Sequence, residues 1–260
     1  MLAVAIPAGL LIGLSLGALG GGGSILTVPV LVYLLHQPPH AATAGSLLIV
    51  GITATAGMIA HQRAGRVRLG PGMAFGVLGV AGAYAGTRLS ASIRPDLLLS
   101  LFAGLMLVAA AAMLRRRRGA SGRSVARLRS GGTAAVRRGL KIAAAATGVG
   151  LLTGFFGVGG GFVIVPALVL ALGFEMPVAV GTSLLVIAIN SAAALAARLG
   201  GHVHLDWPLL GVFTAAALAG ALAGNRVASR LDASRLTTAF TVLLIAVAAY
   251  SLIRSLPGLV

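Results

Sequence analysis

Acidic residues, charge in general and cysteine are scarce or absent in this sequence. Its 260 residues include only four Asp and Glu against 20 Lys and Arg, charged residues make up 9% of the chain, and there is no cysteine. Because roughly a quarter of the residues in a soluble domain are charged, this composition excludes an ordinary soluble domain. The absence of cysteine excludes a disulfide framework, a thiolate metal site and a thiol nucleophile.

Long apolar stretches take the place of the missing charge. Hydrophobic residues make up 58% of the chain, and a helix needs about 20 residues to cross a bilayer. The sequence therefore predicts an all-α fold, a polytopic transmembrane helical bundle of about 8 to 10 helices. The helices are predicted near residues 2–19, 24–35, 41–60, 70–91, 96–114, 140–156, 162–173, 178–198, 207–228 and 234–254. Two of them, 24–35 and 162–173, rise only about 18 Å and are expected to be half-membrane helices or arms of a re-entrant turn.

The strongly basic balance does not indicate nucleic acid. The formal net charge is +16, but apolar runs of about twenty residues separate the charges, and such runs are typical of membrane spans. We expect membrane lipids and a small-molecule anion as partners, no nucleic acid and no cofactor. The oligomeric state is left open.

The sequence is duplicated internally. At a displacement of 137, Gly17, Gly20, Gly22, Gly23, Val28 and Pro29 recur as Gly154, Gly157, Gly159, Gly160, Val165 and Pro166. Ser46 recurs as Ser183 at the same displacement, and the pair Gly82 and Gly86 recurs as Gly220 and Gly224 at a displacement of 138. We divide the chain into a first transmembrane repeat (1–114), an Arg-rich linker (115–139) and a second transmembrane repeat (140–260).

The linker predicts the orientation of the two repeats. It carries nine Arg and no acidic residue, so the positive-inside rule places it in the cytoplasm. Five elements in each repeat, an odd number, predict that the repeats are inverted and that both termini lie outside. Many secondary transporters are built from inverted repeats and bind substrate near the bilayer midplane at the repeat interface.

Two Gly-rich turns carry the strongest indication of a site. They are LGGGGSILTVP at 19–29 and FGVGGGFVIVP at 156–166, and each opens a short helix. Glycine lets a ligand approach the backbone, and the first N–H groups of a helix are unpaired and attract anions. The alternative is that the glycines only allow close helix packing, as expected for the GxxxG pairs. A dinucleotide-binding or P-loop interpretation fails, because neither turn follows a strand and GGGGS lacks the lysine.

Hydroxyl and amide side chains follow each turn. They are Thr43, Ser46, Thr53 and Thr55 in the first repeat, and Thr182, Ser183 and Asn190 in the second. Such groups suit an oxyanion that must be bound and then released, although each of them can instead bond a backbone carbonyl or link two helices.

Ionisable residues lie near the predicted helix ends. His61, Arg63 and Arg66 have the counterparts Arg198, His202, His204 and Asp206. They can attract anions or shuttle protons, but charged caps at the membrane surface are the favoured interpretation. His202 and His204 with Asp206 form only a weak metal pattern, so no metal site is predicted. Glu175 and Asp206 are the carboxylates available for proton coupling, and no catalytic set indicates an enzyme.

Each half contains a GGGG or GxGGG turn, followed by Pro29 or Pro166 and later by AGSLL or GTSLL. In this combination of motifs the sequence resembles the sulfite exporter TauE/SafE family (4-toluene sulfonate uptake permease family). The resemblance covers nearly the whole chain. It implies a multi-pass bacterial inner-membrane transporter of small sulfur-containing anions such as sulfite or organosulfonates. The first turn departs from the second by a glycine at the position of Val158 and by Ser24 at that of Gly161.

From these observations we expect secondary transport by alternating access between the two repeats. The resemblance implies that the translocation site lies at the two Gly turns with Ser46 and Ser183. The expected substrate-binding residues are Gly20, Gly21, Gly22, Gly23, Ser24, Ser46, Gly157, Gly159, Gly160, Gly161, Thr182, Ser183 and Asn190. The alternative function is a membrane scaffold or assembly factor whose basic linker binds lipid or an acidic partner.

Overall fold

The computed structural model describes residues 2–90, 95–119, 132–156, 161–196 and 206–255. Within these ranges every regular element is helical, so the all-α prediction is confirmed. The helices are α1 (Leu2–Leu19), α2 (Gly22–Pro29), α3 (Pro39–Arg63), α4 (Leu69–Ser90), α5 (Pro95–Gly119), α6 (Gly132–Phe156), α7 (Gly161–Leu170), α8 (Met176–Ala196), α9 (Trp207–Arg230) and α10 (Ala233–Ser255). A π-helical segment, Val30–Leu34, continues α2.

Five helices in the described ranges are long and apolar enough to cross a membrane. These spans are Ala41–Arg63, Leu69–Gly86, Met176–Ala196, Trp207–Arg230 and Ala233–Tyr250. Gly22–Leu34 and Gly161–Leu170 are shorter apolar helices, so the short length predicted for these two elements is confirmed. The chain is a multi-pass membrane protein.

The ends of the predicted linker are helical. The prediction ended the fifth helix at residue 114 and began the sixth at 140, whereas α5 continues to Gly119 and α6 begins at Gly132. Arginine is a good helix former, so a run of arginines does not end a helix as a glycine does. Residues 120–131 of the linker lie outside the described residues.

The two short helices end in the same kind of turn. His36 and Gly173, which are 137 positions apart, both have left-handed backbone angles, with φ of 53° and 72°. The next amide in each case bonds back to a carbonyl six residues earlier, Gln37 N to Leu31 O at 2.9 Å and Phe174 N to Leu168 O at 3.1 Å. Each bond spans one residue more than the 6→1 bond of a Schellman cap. The duplicated sequence therefore makes a duplicated turn.

Glycines bring α1 against α9 and α4 against α6. A Cβ at Gly13 or Gly17 would overlap the backbone of Ala217 or Ala221 on α9. Residue numbers rise together along this contact, so α1 and α9 run parallel. The contacts of Gly79 with Gly150 and of Gly82 with residues 147–151 correspond in the duplication to those of Ala217 with Gly13 and of Gly220 with residues 10–14, so α4 and α6 pack in the same parallel sense. The close-packing role expected of the GxxxG glycines is confirmed at Gly82, Gly220 and Gly224, which all lie against a neighbouring backbone.

The third helix of one half packs against the third helix of the other half in the opposite sense. Gly51 of α3 lies beside Ser191 of α8, and Gly57 of α3 lies beside Leu184. Residue numbers rise along one helix and fall along the other, so α3 and α8 are antiparallel.

The centre of the bundle lies around α7 and α8. Residues 161–166 of α7 are all buried, as are residues 179–187 of α8. In contrast, α2 and its π-helical continuation reach the surface, where Tyr33 is 66% exposed and Leu34 is 49% exposed. The second short helix is therefore enclosed by the protein, while the first is enclosed only in part.

Candidate functional site

The two Gly-rich turns meet inside the bundle. A Cβ at Gly21 would overlap the carbonyl group of Gly161 and would lie 2.5 Å from the amide nitrogen of Phe162. A Cβ at Gly161 would in turn lie 2.8 Å from the Cα of Gly21. The start of α2 therefore touches the start of α7 through backbone atoms, and no side chain fits between them.

Gly20 makes the turn that brings α2 back beside α1. Its φ of +78° lies in the left-handed region, which favours glycine because it lacks a Cβ. A Cβ there would also lie only 2.5 Å from the Oγ of Ser183 on α8. Both the backbone angle and the space at this position therefore require glycine.

Two buried serine hydroxyls flank the meeting point. Ser24 Oγ donates to the carbonyl of Gly21 at 2.7 Å, and Ser183 Oγ donates to the carbonyl of Val180 at 2.8 Å. The position of a Cβ on Gly161 is 2.6 Å from Ser24 Oγ. A hydroxyl can exchange such a local bond for a bond to a ligand. No side chain caps the start of α2 at Gly21, so its first amides are not satisfied in that way.

The structure separates the remaining predicted site residues. Gly22 faces Leu243 of α10, and Gly23 lies against the backbone of α1, so both serve helix packing. Ser46 Oγ donates to Thr43 O at 2.8 Å, and Thr182 Oγ1 accepts from the amide of Arg68 at 3.1 Å. Thr182 therefore holds the connection between α3 and α4.

Asn190 lies at a different place, a small packing gap between α4, α6, α7 and α8. The gap is also lined by Thr153, and neither Asn190 Oδ1 nor Thr153 Oγ1 has a hydrogen-bond partner among the described residues. Gly157, Gly159 and Gly160 lie outside the described residues, as do Arg198, His202 and His204. The structure thus brings together Gly20, Gly21, Ser24, Gly161 and Ser183.

His61 is a buried neighbour of this site. Only 1% of it is exposed, and its Nε2 lies 3.1 Å from the carbonyl of Gly17. The interpretation as a charged cap at the membrane surface is therefore wrong for His61, although it fits the exposed Arg63. Sequence reasoning could not tell that His61 faces inward, because that depends on its contacts with α1 and α8.

Arg66 is placed by the turn that ends α3. Gly65 has a φ of +69°. The amide of Arg66 donates to the carbonyl of His61 at 3.0 Å, and the amide of Gly65 donates to the carbonyl of Gln62 at 2.9 Å. These are the two bonds of a Schellman cap. The HQRAGR sequence at 61–66 therefore folds Arg66 back beside His61.

The carboxylates considered for proton coupling lie at the surface. Asp206 is the N-cap of α9 and accepts from the amide of Leu209 at 3.1 Å. Glu175 is exposed at the start of α8. The described ranges contain no cluster of three or more His, Asp or Glu residues that could hold a metal ion.

Comparison with known proteins places the chain among membrane transporters. A family model described as "Sulfite exporter TauE/SafE" matches residues 5–251. A "Probable membrane transporter protein" of Xylella fastidiosa (strain Temecula1 / ATCC 700964) is 36% identical over 263 aligned residues, which cover 100% of this chain and 98% of the relative. "Probable membrane transporter protein YdhB" of Bacillus subtilis (strain 168) is 30% identical over 177 residues, 68% of this chain and 70% of the relative. No solved structure gives a significant match.

Proposed function

The chain belongs to the sulfite exporter TauE/SafE family, and from this premise we propose that it is a secondary transporter of small sulfur-containing oxyanions such as sulfite or organosulfonates. Its membership and its relatives support the coarser statement that it is a membrane transporter rather than an enzyme. We place it in the bacterial inner membrane, as proteins with these relatives and this helical architecture are expected to be.

The observation that carries the proposal is the contact between the starts of α2 and α7 at Gly21 and Gly161. Helix starts present amide N–H groups and a partial positive charge, and two of them inside a membrane favour an anion. Backbone donors do not titrate, so they suit a strongly acidic sulfonate as well as sulfite. Ser24 and Ser183 add hydroxyl groups beside the same point.

The directions of the helices support alternating access between two halves. The pairs α1 with α9 and α4 with α6 each join the first helix of one half to the fourth helix of the other, and both are parallel. The pair α3 with α8 joins equivalent helices and is antiparallel. Two halves of opposite orientation would produce this set of directions, and their relative rocking would expose the central site to each side in turn.

Flux measurements with a serine variant test the proposal. The purified chain, reconstituted in liposomes, is expected to carry sulfite and isethionate (2-hydroxyethanesulfonate). Ser183→Ala is expected to lower that flux about tenfold or more, since one hydrogen bond to a charged group contributes about 1.5–3 kcal/mol. Folding should change little, because the lost bond is local to α8.

Ser229→Ala is the matched control for this variant. Ser229 Oγ makes the same kind of local bond, to Arg226 O at 2.7 Å, but is exposed at the end of α9. Its flux should equal that of the wild type. No flux in the wild type would refute the transport proposal, and equal flux in both variants would remove Ser183 from the site.

A membrane scaffold is the second candidate, and the nine arginines without an acidic residue at 115–139 favour it. Each basic residue near an anionic surface contributes about 1 kcal/mol, so the segment can hold lipid or an acidic partner. Replacement of Arg123, Arg127 and Arg129 by Gln tests this function without touching the described helices. Loss of partner or lipid binding with intact flux would establish a separate docking role, and no change in binding would refute it.

A further inference from the structure

His61 and Arg66, called here the His61–Arg66 pair, present two buried nitrogen atoms that lack a partner. Neither His61 Nδ1 nor Arg66 Nη1 has a hydrogen-bond partner among the described residues, and both atoms are buried. The guanidinium is close enough to His61 to act on it electrostatically. Buried polar groups are nearly always hydrogen-bonded and buried charges are nearly always paired, so the pair requires an explanation.

None of the described residues supplies a buried negative charge to the pair. Glu175, Asp206 and Asp232, the acidic residues whose side chains are described, are all exposed. Arg66 is half-buried as a residue, but its Nη1 is buried, carries part of the positive charge and has no partner among the described residues, so an anion from outside the chain would satisfy it. This is the first reason to infer an anion at the pair.

The hydrogen bond of His61 determines how its free nitrogen can act. The carbonyl of Gly17 can only accept, so Nε2 must carry a proton and donate to it. In the neutral ring Nδ1 then carries a lone pair, which repels an anion, and it becomes a donor only when the ring is protonated. An oxyanion at Nδ1 therefore binds together with a proton.

The pair lies close to the glycine turns, because both contact the same part of α8. A Cβ at Gly181 would lie 2.7 Å from the carbonyl oxygen of Arg66 and 3.1 Å from the Cβ of His61. Ser183, two residues further along α8, flanks Gly20 at that site. The pair and the glycine turns therefore lie against neighbouring residues of α8.

Other ionisable groups do not take the place of His61. Among the described residues, α1, α2 and α8 contain no titratable side chain. On the other elements around α3, the ionisable residues with described side chains are Tyr33, Arg63, Arg68, Arg226 and Arg230, all of which are exposed. His61 is thus the buried titratable group of this region.

We propose that the His61–Arg66 pair binds the transported oxyanion together with one proton, so that His61 couples transport to proton movement. This inference rests on the transport function proposed above and adds its coupling ion. The proton enters at Nδ1 from solvent when the anion binds and leaves from the same atom when the anion is released. Arg66 supplies the fixed positive charge.

Calorimetric titration of the full chain with isethionate tests this inference. Isethionate stays a monoanion at neutral pH, so any proton taken up goes to the protein. Two buffers of different ionisation enthalpy give the number of protons taken up. We expect about one proton per anion at about pH 8, the upper end of the pH range in which histidine side chains titrate. The affinity should fall by up to about tenfold for each pH unit above that range.

Three variants separate the role of the pair from a structural role. His61→Gln keeps an amide donor for the Gly17 carbonyl but cannot titrate, so its anion binding should take up no proton and should not depend on pH. Arg66→Gln should bind isethionate about 10–100-fold more weakly at every pH, as expected for a lost charge-assisted bond. Arg63→Gln, which removes an exposed charge on the same helix, should keep the proton uptake and pH dependence of the wild type.

A lipid phosphate offers the same chemistry as the free anion. The titrations are therefore made in a maltoside detergent without lipid and repeated after addition of phosphatidylglycerol. If the lipid abolishes proton uptake and leaves isethionate binding in place, the pair holds a headgroup and the coupling role is overturned.

The failures of the two proposals can be told apart. Wild-type protein that binds and transports isethionate without proton uptake, at an affinity independent of pH, overturns the coupling role and leaves the transport function standing. Absence of both binding and flux for isethionate and sulfite overturns the transport function and the coupling role with it. The wild-type measurement decides the matter even if a variant fails to fold.

Discussion

Gly21→Ala tests whether the two glycine turns touch. The added Cβ would overlap the carbonyl group of Gly161 and would lie 2.5 Å from the amide nitrogen of Phe162. These are backbone atoms at the start of a fully buried helix segment, so they cannot rotate away as a side chain could. Either α2 or α7 must shift.

Two opposing effects set the size of the change. Overpacking of this kind costs about 1–3 kcal/mol. Gly21 has φ of −76° and ψ of −13°, which alanine adopts without strain, so the substitution also gains about 0.4–1 kcal/mol from the unfolded state. The net expected loss is about 1–2 kcal/mol, which corresponds to a fall in Tm of roughly 2–8 °C for a chain of this size.

Thermal unfolding in detergent and sulfite flux in liposomes are the two assays. Gly211→Ala is the matched control, because nothing lies within 4 Å of its Cβ position, and it should be neutral or slightly stabilising. Gly13→Ala, which overlaps the α9 backbone away from the turns, should lower Tm and leave the affinity for sulfite unchanged. Gly21→Ala alone should lower both Tm and flux per folded protein.

An unchanged Tm for Gly21→Ala, beside the expected behaviour of the two controls, would show that the turns do not touch. A lowered Tm with normal affinity and flux would show that they touch but do not form the site.

Two further substitutions test the turns around the site. Gly65→Ala places a side chain in a left-handed backbone conformation with open space around it, so it should lower the free energy of unfolding by about 1–2 kcal/mol. Gly70→Ala is the control, because Gly70 has open space and no left-handed φ, and it should be neutral or slightly stabilising. Asp206→Ala should lower the free energy of unfolding by about 1 kcal/mol, because the helix loses its N-cap. Asp206→Asn should keep both stability and flux. Loss of flux in Asp206→Asn would instead make this carboxylate part of the transport path.

Hydropathy, together with the positions of charged residues and of Gly and Pro clusters, predicted most of the helix bounds. Leu2–Leu19 matches its predicted bounds, and the end of α9 at Arg230 differs by two residues from the predicted 228. The start of α6 was missed because Arg137 and Arg138 were assigned to the linker, although Arg favours helices. Local patterns cannot separate a charged helix end from a charged loop.

The duplicated glycines indicated the candidate site but not the packing role of each glycine. Gly21 touches the opposite turn, whereas Gly22 and Gly23 pack against α10 and α1. That difference depends on which neighbouring helix lies on each side, and a run of identical residues contains no such information. Asn190 was grouped with Ser183 because both lie on one helix, yet they face different places.

The backbone contact between Gly21 and Gly161 limits how this transporter can be redesigned. Where two main chains touch, there is no side chain to exchange, and any replacement separates the helices before it can alter selectivity. For the site proposed above, a change of substrate is therefore expected from the hydroxyls on the flank, Ser24 and Ser183. Variants with altered solutes should arise there, while substitutions of the contact glycines should lower stability and flux without changing the solute.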